Sequence, residues 1–271
     1  MSNEFSNLNY VAPLRATAER YYRNQDLNVD EVDFQGKNLA MFIYNLGESK
    51  KEEYKNWLST HFGFSIDSIS TGGHLSLRIT YKNSEQSYNI TDMGFGFSQI
   101  LPIITQLWFT SINRISSRPS SRKYYHNTKY LVIEQPELHL HPRFQAKMVD
   151  VFIKMINYLK SETQDINLKI IIETHSETII NQIGHRIRQE PNSDNEVDNE
   201  VDNEVDNEVD NYDKLKRQAK ALSTIDKKDV SIVIFDKTSA NNPTDVTFSS
   251  YDSEGNLKDW PWGFFEPEFD L

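Results

Sequence analysis

Between residues 74 and 188 the apolar positions change their period several times, and each change marks an element. The stretch "HLSLRITY" (74–81) alternates apolar and polar residues and predicts a half-buried strand. "QSYNI" (86–90) follows a short polar turn and predicts its hairpin partner. From Phe97 to about Ile112 the spacing turns helical. Leu131 to Glu134 is a short apolar strand, and "HPRFQAKMVDVFIKMINYL" is an amphipathic helix entered through Pro142. "NLKIIIET" (167–174) is a second apolar strand, followed by a helix from about Ser176 to Arg188. Two βα units in succession, with continuously apolar strands, predict a parallel sheet covered on both faces. "VSIVIFDK" (230–237) and "DVTFSSYD" (245–252) predict two further strands. Before residue 70 the pattern is aromatic rather than periodic. Tyr21, Tyr22, Phe34, Phe42, Tyr44, Tyr54, Trp57, Phe62 and Phe64 predict helices packing aromatic faces. The fold class is α/β, organised as a lead-in (1–70), a main α/β segment (71–190), an acidic loop (191–211) and a strand-and-aromatic tail (212–271).

Composition changes this picture at one place. Residues 195 to 210 are four tandem copies of Asn-Glu-Val-Asp. A helix would stack their like charges at every turn, and one Val per copy buries too little to order the segment, so a mobile acidic loop is expected. Its usual role is a solvated spacer rather than a lure for a basic partner. Taking its eight acids from the net charge of −11 leaves −3, so charge argues neither for nor against DNA as a partner. The 271 residues, 37% of them hydrophobic, suffice for one large domain or two small ones. The absence of cysteine excludes disulfides and thiolate metal sites and fits a reducing cytosol. "MSNEFSNLNY" has no signal-peptide pattern, and runs such as "IVIF" are too short to cross a bilayer, so a cytoplasmic chain without a membrane partner is expected.

Three stretches carry candidate chemistry. In "TDMGFGFSQILPI" (91–103), Gly94 and Gly96 allow the backbone to approach a ligand, and Ser98 and Gln99 open a helix whose free N–H groups suit an anion. Glu134 ends an apolar strand, where open α/β sheets place ligand-binding groups, and its hard carboxylate suits Mg²⁺ directly or through water. "IIIETHSE" ends a second strand at Glu173, Thr174 and His175, placing an imidazole where it would meet a phosphate or an attacking water.

Taken as a set over residues 91 to 180, these stretches resemble the C-terminal half of an ABC-type AAA ATPase of the RecF/SMC/OLD-like group. The resemblance implies that the glycine-serine-glutamine loop is the signature, that the strand end at Glu134 is Walker B, and that His175 is the switch histidine. It implies ATP and Mg²⁺ as cofactors and a partial P-loop NTPase sheet with flanking helices. "YVAPLRATAERYY" (10–22) and "GKNLA" (36–40) are similar to the segment preceding the signature in that group. "DSEGNLKDWPWGFFEPEFD" is similar to the uncharacterised domain that ends many of its members.

A P-loop requires Gly, four residues, then Gly-Lys-Ser/Thr. The one Gly-Lys pair, Gly36-Lys37, is followed by Asn38 and preceded at the required distance by Glu31. The sheet therefore lacks its P-loop strand, which implies either a split subunit with a P-loop-bearing ATPase partner or a fragment. In that group ATP sites form between subunits, so Ser98 would reach the γ-phosphate in trans while Glu134, Gln135 and His175 complete the site. Gln135 stands where a catalytic base is expected, and an amide takes no proton at neutral pH. It can still orient water. Slow or gated hydrolysis, with Glu137 as a substitute base, is one expectation; an ATP-bound clamp without turnover is the other.

His139, His141 and Glu137 fall short of a tetrahedral zinc set without cysteine. "VIFDKTSA" lacks the Asp-x-Asp pair of an OLD-type nuclease, which leaves DNA or a separate effector nuclease as possible targets rather than a nuclease within this chain. Trp260, Trp262, Phe264 and Phe265 are read as core rather than as an exposed docking patch, and Arg15 and Arg20, which could reach phosphate, as surface ion-pairing residues. The competing function is a non-catalytic interaction module or a truncated remnant of such an ATPase.

Overall fold

The computed structural model describes residues 8–25, 29–112, 127–162, 166–188, 222–237 and 243–261. The acidic repeat, Trp262, Phe264 and Phe265 lie outside them. The chain divides into two compact units, Met1–His175 and Ser176–Leu271.

The first unit begins with β1 (Leu8–Val11) and β2 (Tyr22–Arg23), followed by α1 (Leu39–Asn45), α2 (Glu48–Phe62), β3 (Phe64–Thr71), β4 (His74–Tyr81) and β5 (Ser87–Asn89). It continues with α3 (Phe95–Ile112), β6 (Asn127–Glu134), α4 (Pro142–Glu162) and β7 (Ile166–Glu173). Two sheets result. An antiparallel sheet pairs β4 with β3, β2 and β5. A parallel sheet runs in the order β1-β6-β7. The lead-in is thus only partly helical: three of its elements are strands, and Phe64, read above as a helical aromatic, opens β3 and is buried. Strand β6 also starts four residues earlier than its apolar run, at Asn127. Its early Lys129 is buried with its ammonium donating to the Thr110 carbonyl at 2.6 Å, so a charged letter hides a core position.

The core of this unit is built around α3, which is predominantly apolar and buried along most of its length, its polar Ser98, Gln99, Thr105, Gln106 and Thr110 included. Trp108 packs on Tyr54 of α2 with ring centroids 4.6 Å apart, and the Tyr54 hydroxyl shares a 2.5 Å hydrogen bond with Thr105. Phe97 meets Phe64 on one side and Phe144 of α4 on the other. Helix α3 packs on β1 and β6, and α4 packs on β7.

Burial along β6 alternates strictly. Lys129, Leu131 and Ile133 are buried, whereas Tyr130, Val132 and Glu134 are half-buried. Parallel register carries the second face across the sheet, from Tyr10 of β1 through Val132 to Ile171 of β7, and Ile171 is 52% exposed. The expectation of a sheet covered on both faces is therefore corrected: among the described residues, helices cover one face and the other stays open. An apolar run cannot reveal this, because it looks the same whether its second face is covered or waiting to be covered.

The second unit contains α5 (Glu177–Arg188) and an antiparallel sheet β8 (Ile232–Asp236), β9 (Asp245–Tyr251) and β10 (Leu257–Lys258), in the order β10-β9-β8. Ile180 and Ile187 of α5 bury against Tyr251, whose hydroxyl donates to the Ile180 carbonyl at 2.8 Å. Here α5 touches the β9–β10 turn directly: a Cβ on Gly184 would collide with the Gly255 carbonyl, and a Cβ on Gly255 with that of Gly184. Backbone against backbone leaves nothing flexible to move. Gly184→Ala is expected to destabilise this unit by about 2 kcal/mol, read as a lower midpoint in denaturant with an unchanged slope.

Candidate functional site

The parallel sheet delivers Glu134 and Glu173 side by side. They are register partners at the C-terminal ends of β6 and β7, and they lie on the open face together with Tyr10. Desolvation, then the approach of the Glu134 carboxylate and the charges of Glu134 and Glu173, hold the Tyr10 phenol above its ordinary range, so it keeps its proton at neutral pH.

Gln135 follows with a φ of 42°, in the left-handed region that non-glycine residues seldom occupy. Its surroundings explain how it stays there. Its N–H donates to the Glu173 carbonyl at 2.8 Å, prolonging the ladder by one bond. Its carbonyl accepts from Arg15 Nη2 at 3.0 Å, while Nη1 of the same guanidinium donates to the carbonyls of Glu134 at 3.2 Å and Ala12 at 2.9 Å. Arg15 is 5% exposed, and its Nε has no partner among the described residues. Burial lowers its pKa to about 10, partly offset by the charge of Glu137, so it is a cation at neutral pH. The sequence offered either a phosphate or a surface ion pair for Arg15. The structure gives it neither: it braces the backbone of the acidic strand end. A buried arginine carries no local signal that separates it from a surface one, which is why sequence missed it. Replacing it with Met, which fills similar space but donates nothing, strands buried carbonyls. The expected cost is about 2 to 4 kcal/mol, with faster hydrogen exchange at the Gln135 amide than at amides elsewhere in β6.

Glu137 is held differently. One of its oxygens accepts from the Thr174 hydroxyl and the other from the His175 N–H, both at 2.8 Å, so this carboxylate pins the end of β7 to the loop after β6. The His175 imidazole is 70% exposed, with Nε2 3.5 Å from a Glu173 oxygen. Glu134, Gln135, Glu137 and His175 thus gather at one end of the parallel sheet, joined by Glu173, Tyr10 and Arg15.

The glycine-rich loop forms a second group. Gly94 and Phe95 are exposed, and the loop leans on the segment after the acidic strand. Phe95 meets His139 edge-on at 4.7 Å, and a Cβ on Gly96 would come within 3.3 Å of the His139 carbonyl. Ser98 is 5% exposed; its hydroxyl donates to the Phe95 carbonyl at 2.6 Å and accepts from Gln99 Nε2 at 3.3 Å. The segment from Arg15 to Arg20 connects the two groups. Arg15 braces the strand end, Ala18 and Tyr22 share a shallow pocket with Gly36 and Ser98, and Arg20 pairs with Asp92 just before the glycines. The Arg20 pair is exposed and contributes little to stability.

Residues 17–180 match the family model described as AAA ATPase domain. The chain is also 32% identical, over 114 residues, to Endonuclease GajA of Bacillus cereus (strain HuB5-5). That alignment takes in 40% of the chain but only 15% of the relative.

Proposed function

The chain belongs to the AAA ATPase domain family, and from that premise we propose that it is the signature and Walker B part of an ABC-type ATPase. In this reading it binds and slowly hydrolyses ATP at an interface with a P-loop-bearing partner, in DNA repair or phage defence. The observation that carries the reading is the convergence of Glu134, Gln135, Glu173 and His175 at the C-terminal end of the parallel sheet. Open α/β sheets place their ligands there.

The residues suit Mg²⁺. Glu134 and Glu173 are hard oxygen donors on adjacent strands, and no cluster of three or more His, Cys, Asp or Glu among the described residues would enclose a metal. Mg²⁺ commonly takes one or two carboxylates and fills its octahedron with phosphate oxygens and water. Glu134 would hold it, with the Tyr10 phenol approaching the carboxylate. Bound there, the ion would neutralise charge on the transferring phosphoryl group. The Gln135 side chain would orient water, its backbone fixed by Arg15 and Glu173. Exposed His175 would donate toward a phosphate oxygen. Ser98 would reach phosphate only after its hydroxyl leaves the Phe95 carbonyl. Glu137, with both oxygens occupied, would hold the strand ends together and act as a base only on releasing them.

Similarity to an endonuclease supports a setting in phage defence, with DNA or an effector nuclease as the downstream target. A second reading draws on the amide of Gln135 and the inward turn of Ser98: a non-catalytic clamp or interaction module. Steady-state ATP hydrolysis decides between them. The reading expects no turnover by the chain alone and slow, Mg²⁺-dependent turnover when it is purified with a P-loop-bearing companion. ATP bound by that complex without turnover would favour the clamp.

A further inference from the structure

Strand β8 departs from the pattern of a half-solvated antiparallel strand. Such strands alternate apolar and polar residues, yet Ile232, Val233, Ile234 and Phe235 run without a break. Ile232 packs with Tyr251 in the core beneath α5, and Ile234 is buried. The other two stay outside. Across the β8–β9 ladder Val233 pairs with Phe248 and Phe235 with Val246, so four large apolar side chains share one face. They are 42%, 70%, 68% and 50% exposed in that order. Cross-strand neighbours lie about 5 Å apart, which makes the four a single patch. Ser250 continues this face along β9, and exposed Lys258 stands opposite it on β10, giving the patch a polar border. Apolar residues scattered singly are ordinary on a surface, whereas a contiguous group marks a contact.

We infer that this face is a self-association surface, on which a second copy of the chain packs sheet against sheet about a two-fold axis. The inference goes beyond the nucleotide reading and does not depend on it. The arrangement of the four residues selects the occupant. An antiparallel pair has a local two-fold axis, which here passes between the register partners Ile234 and Thr247. It exchanges Val233 with Val246 and Phe235 with Phe248, so the phenylalanines hold one diagonal of the patch and the valines the other. Turn a second copy over about a two-fold axis in the plane of the sheet, laid either along the strands or across them. Every phenylalanine then meets a valine, and every valine a phenylalanine. Large against small is how facing layers fill space without voids. A second copy carries this complement by construction, because a two-fold interface joins the same patch to itself. The area fits as well. The exposed parts of the four side chains amount to roughly 400 Å² per copy. Two copies with their polar borders approach the roughly 1,000 Å² at which specific interfaces begin, which corresponds to a dimer that dissociates on dilution.

Sedimentation velocity on the full chain tests this, from about 1 to about 100 µM, and is expected to show a monomer converting to a dimer. Phe248→Asp is expected to weaken the dimer at least tenfold, with circular dichroism and thermal midpoint unchanged because the side chain is exposed. Phe248→Leu should retain it. A sharper variant exchanges the diagonals, combining Val233→Phe, Val246→Phe, Phe235→Val and Phe248→Val. It is expected to pair with itself, but at least tenfold more weakly with the unaltered chain, since phenylalanine would then face phenylalanine and valine face valine. Mixing differently labelled chains reads this directly. A monomer at every concentration overturns the inference and leaves the face to another occupant. A dimer kept in full by Phe235→Asp with Phe248→Asp overturns it too, as does free mixing of the exchanged and unaltered chains. So does a companion protein from the native host that Phe248→Asp releases while the dimer stays intact, because the face is then the companion's.

Discussion

Glu134→Ala is expected to lower Mg²⁺-dependent ATP turnover of the partnered chain by about a hundredfold or more. At about 1.4 kcal/mol per factor of ten, that is about 3 kcal/mol of lost transition-state stabilisation, within what a bound metal's charge supplies. The fold should survive. Glu134 is half-buried at a strand end, and its structural contribution is the backbone carbonyl that Arg15 holds, which alanine retains. Gln135→Glu is expected to act in the opposite direction, raising turnover about tenfold or more, because a carboxylate restores a proton acceptor beside the water that the amide can only orient. The left-handed backbone of residue 135 is set by Arg15 and Glu173 and does not depend on which side chain it carries. Loss from the first change together with gain from the second would separate a metal ligand from a general structural prop, since damage to the fold lowers both.

Gly36→Ala is expected to destabilise the first unit by about 2 to 4 kcal/mol, the largest single-methyl effect anticipated here. Gly36 has a φ of +74°, and its Cα lies so close to Pro102 that an added Cβ would overlap the ring. The left-handed backbone alone disfavours alanine by about 1 kcal/mol. The collision adds an overpacking cost of about 1 to 3 kcal/mol, because Pro102 sits in buried α3 and has no rotamer to escape into. The pair Gly36-Lys37, which in sequence invites comparison with a phosphate loop, is therefore a packing device: the glycine lets the chain before α1 cross α3. Thermal unfolding measures the cost, and Gly36→Ser, with the same Cβ, should match it.

The elements that sequence revealed are those whose period was long and unmixed. The 18 residues of α3, the 21 of α4, the alternation of β4 and the apolar run of β7 each override their neighbours, and all fall close to their expected places. β1 has only four residues, too few for alternation to stand out, and β3 was submerged among surrounding aromatics. One signal for β3 was present all the same. Gly72 and Gly73 both take positive φ in the two-residue turn to β4, and a Gly-Gly pair between alternating segments is a hairpin signature. At the site, Glu134 and His175 could be placed from strand ends alone. What sequence could not supply was support from afar: Arg15 reaches Glu134 and Gln135 across 119 and 120 positions of chain, and no local pattern encodes that reach. Tyr10 was concealed for the same reason, since its approach to Glu134 depends on a parallel register set by β1 and β6.

The most direct measurement is purification of the tagged chain from its native host, with stoichiometric companions identified by mass spectrometry. The account predicts a companion bearing Gly-x₄-Gly-Lys-Ser/Thr, retained through washing and together with this chain able to bind ATP. Recovery of the chain folded and alone, with no P-loop-bearing companion and no ATP bound, would contradict it.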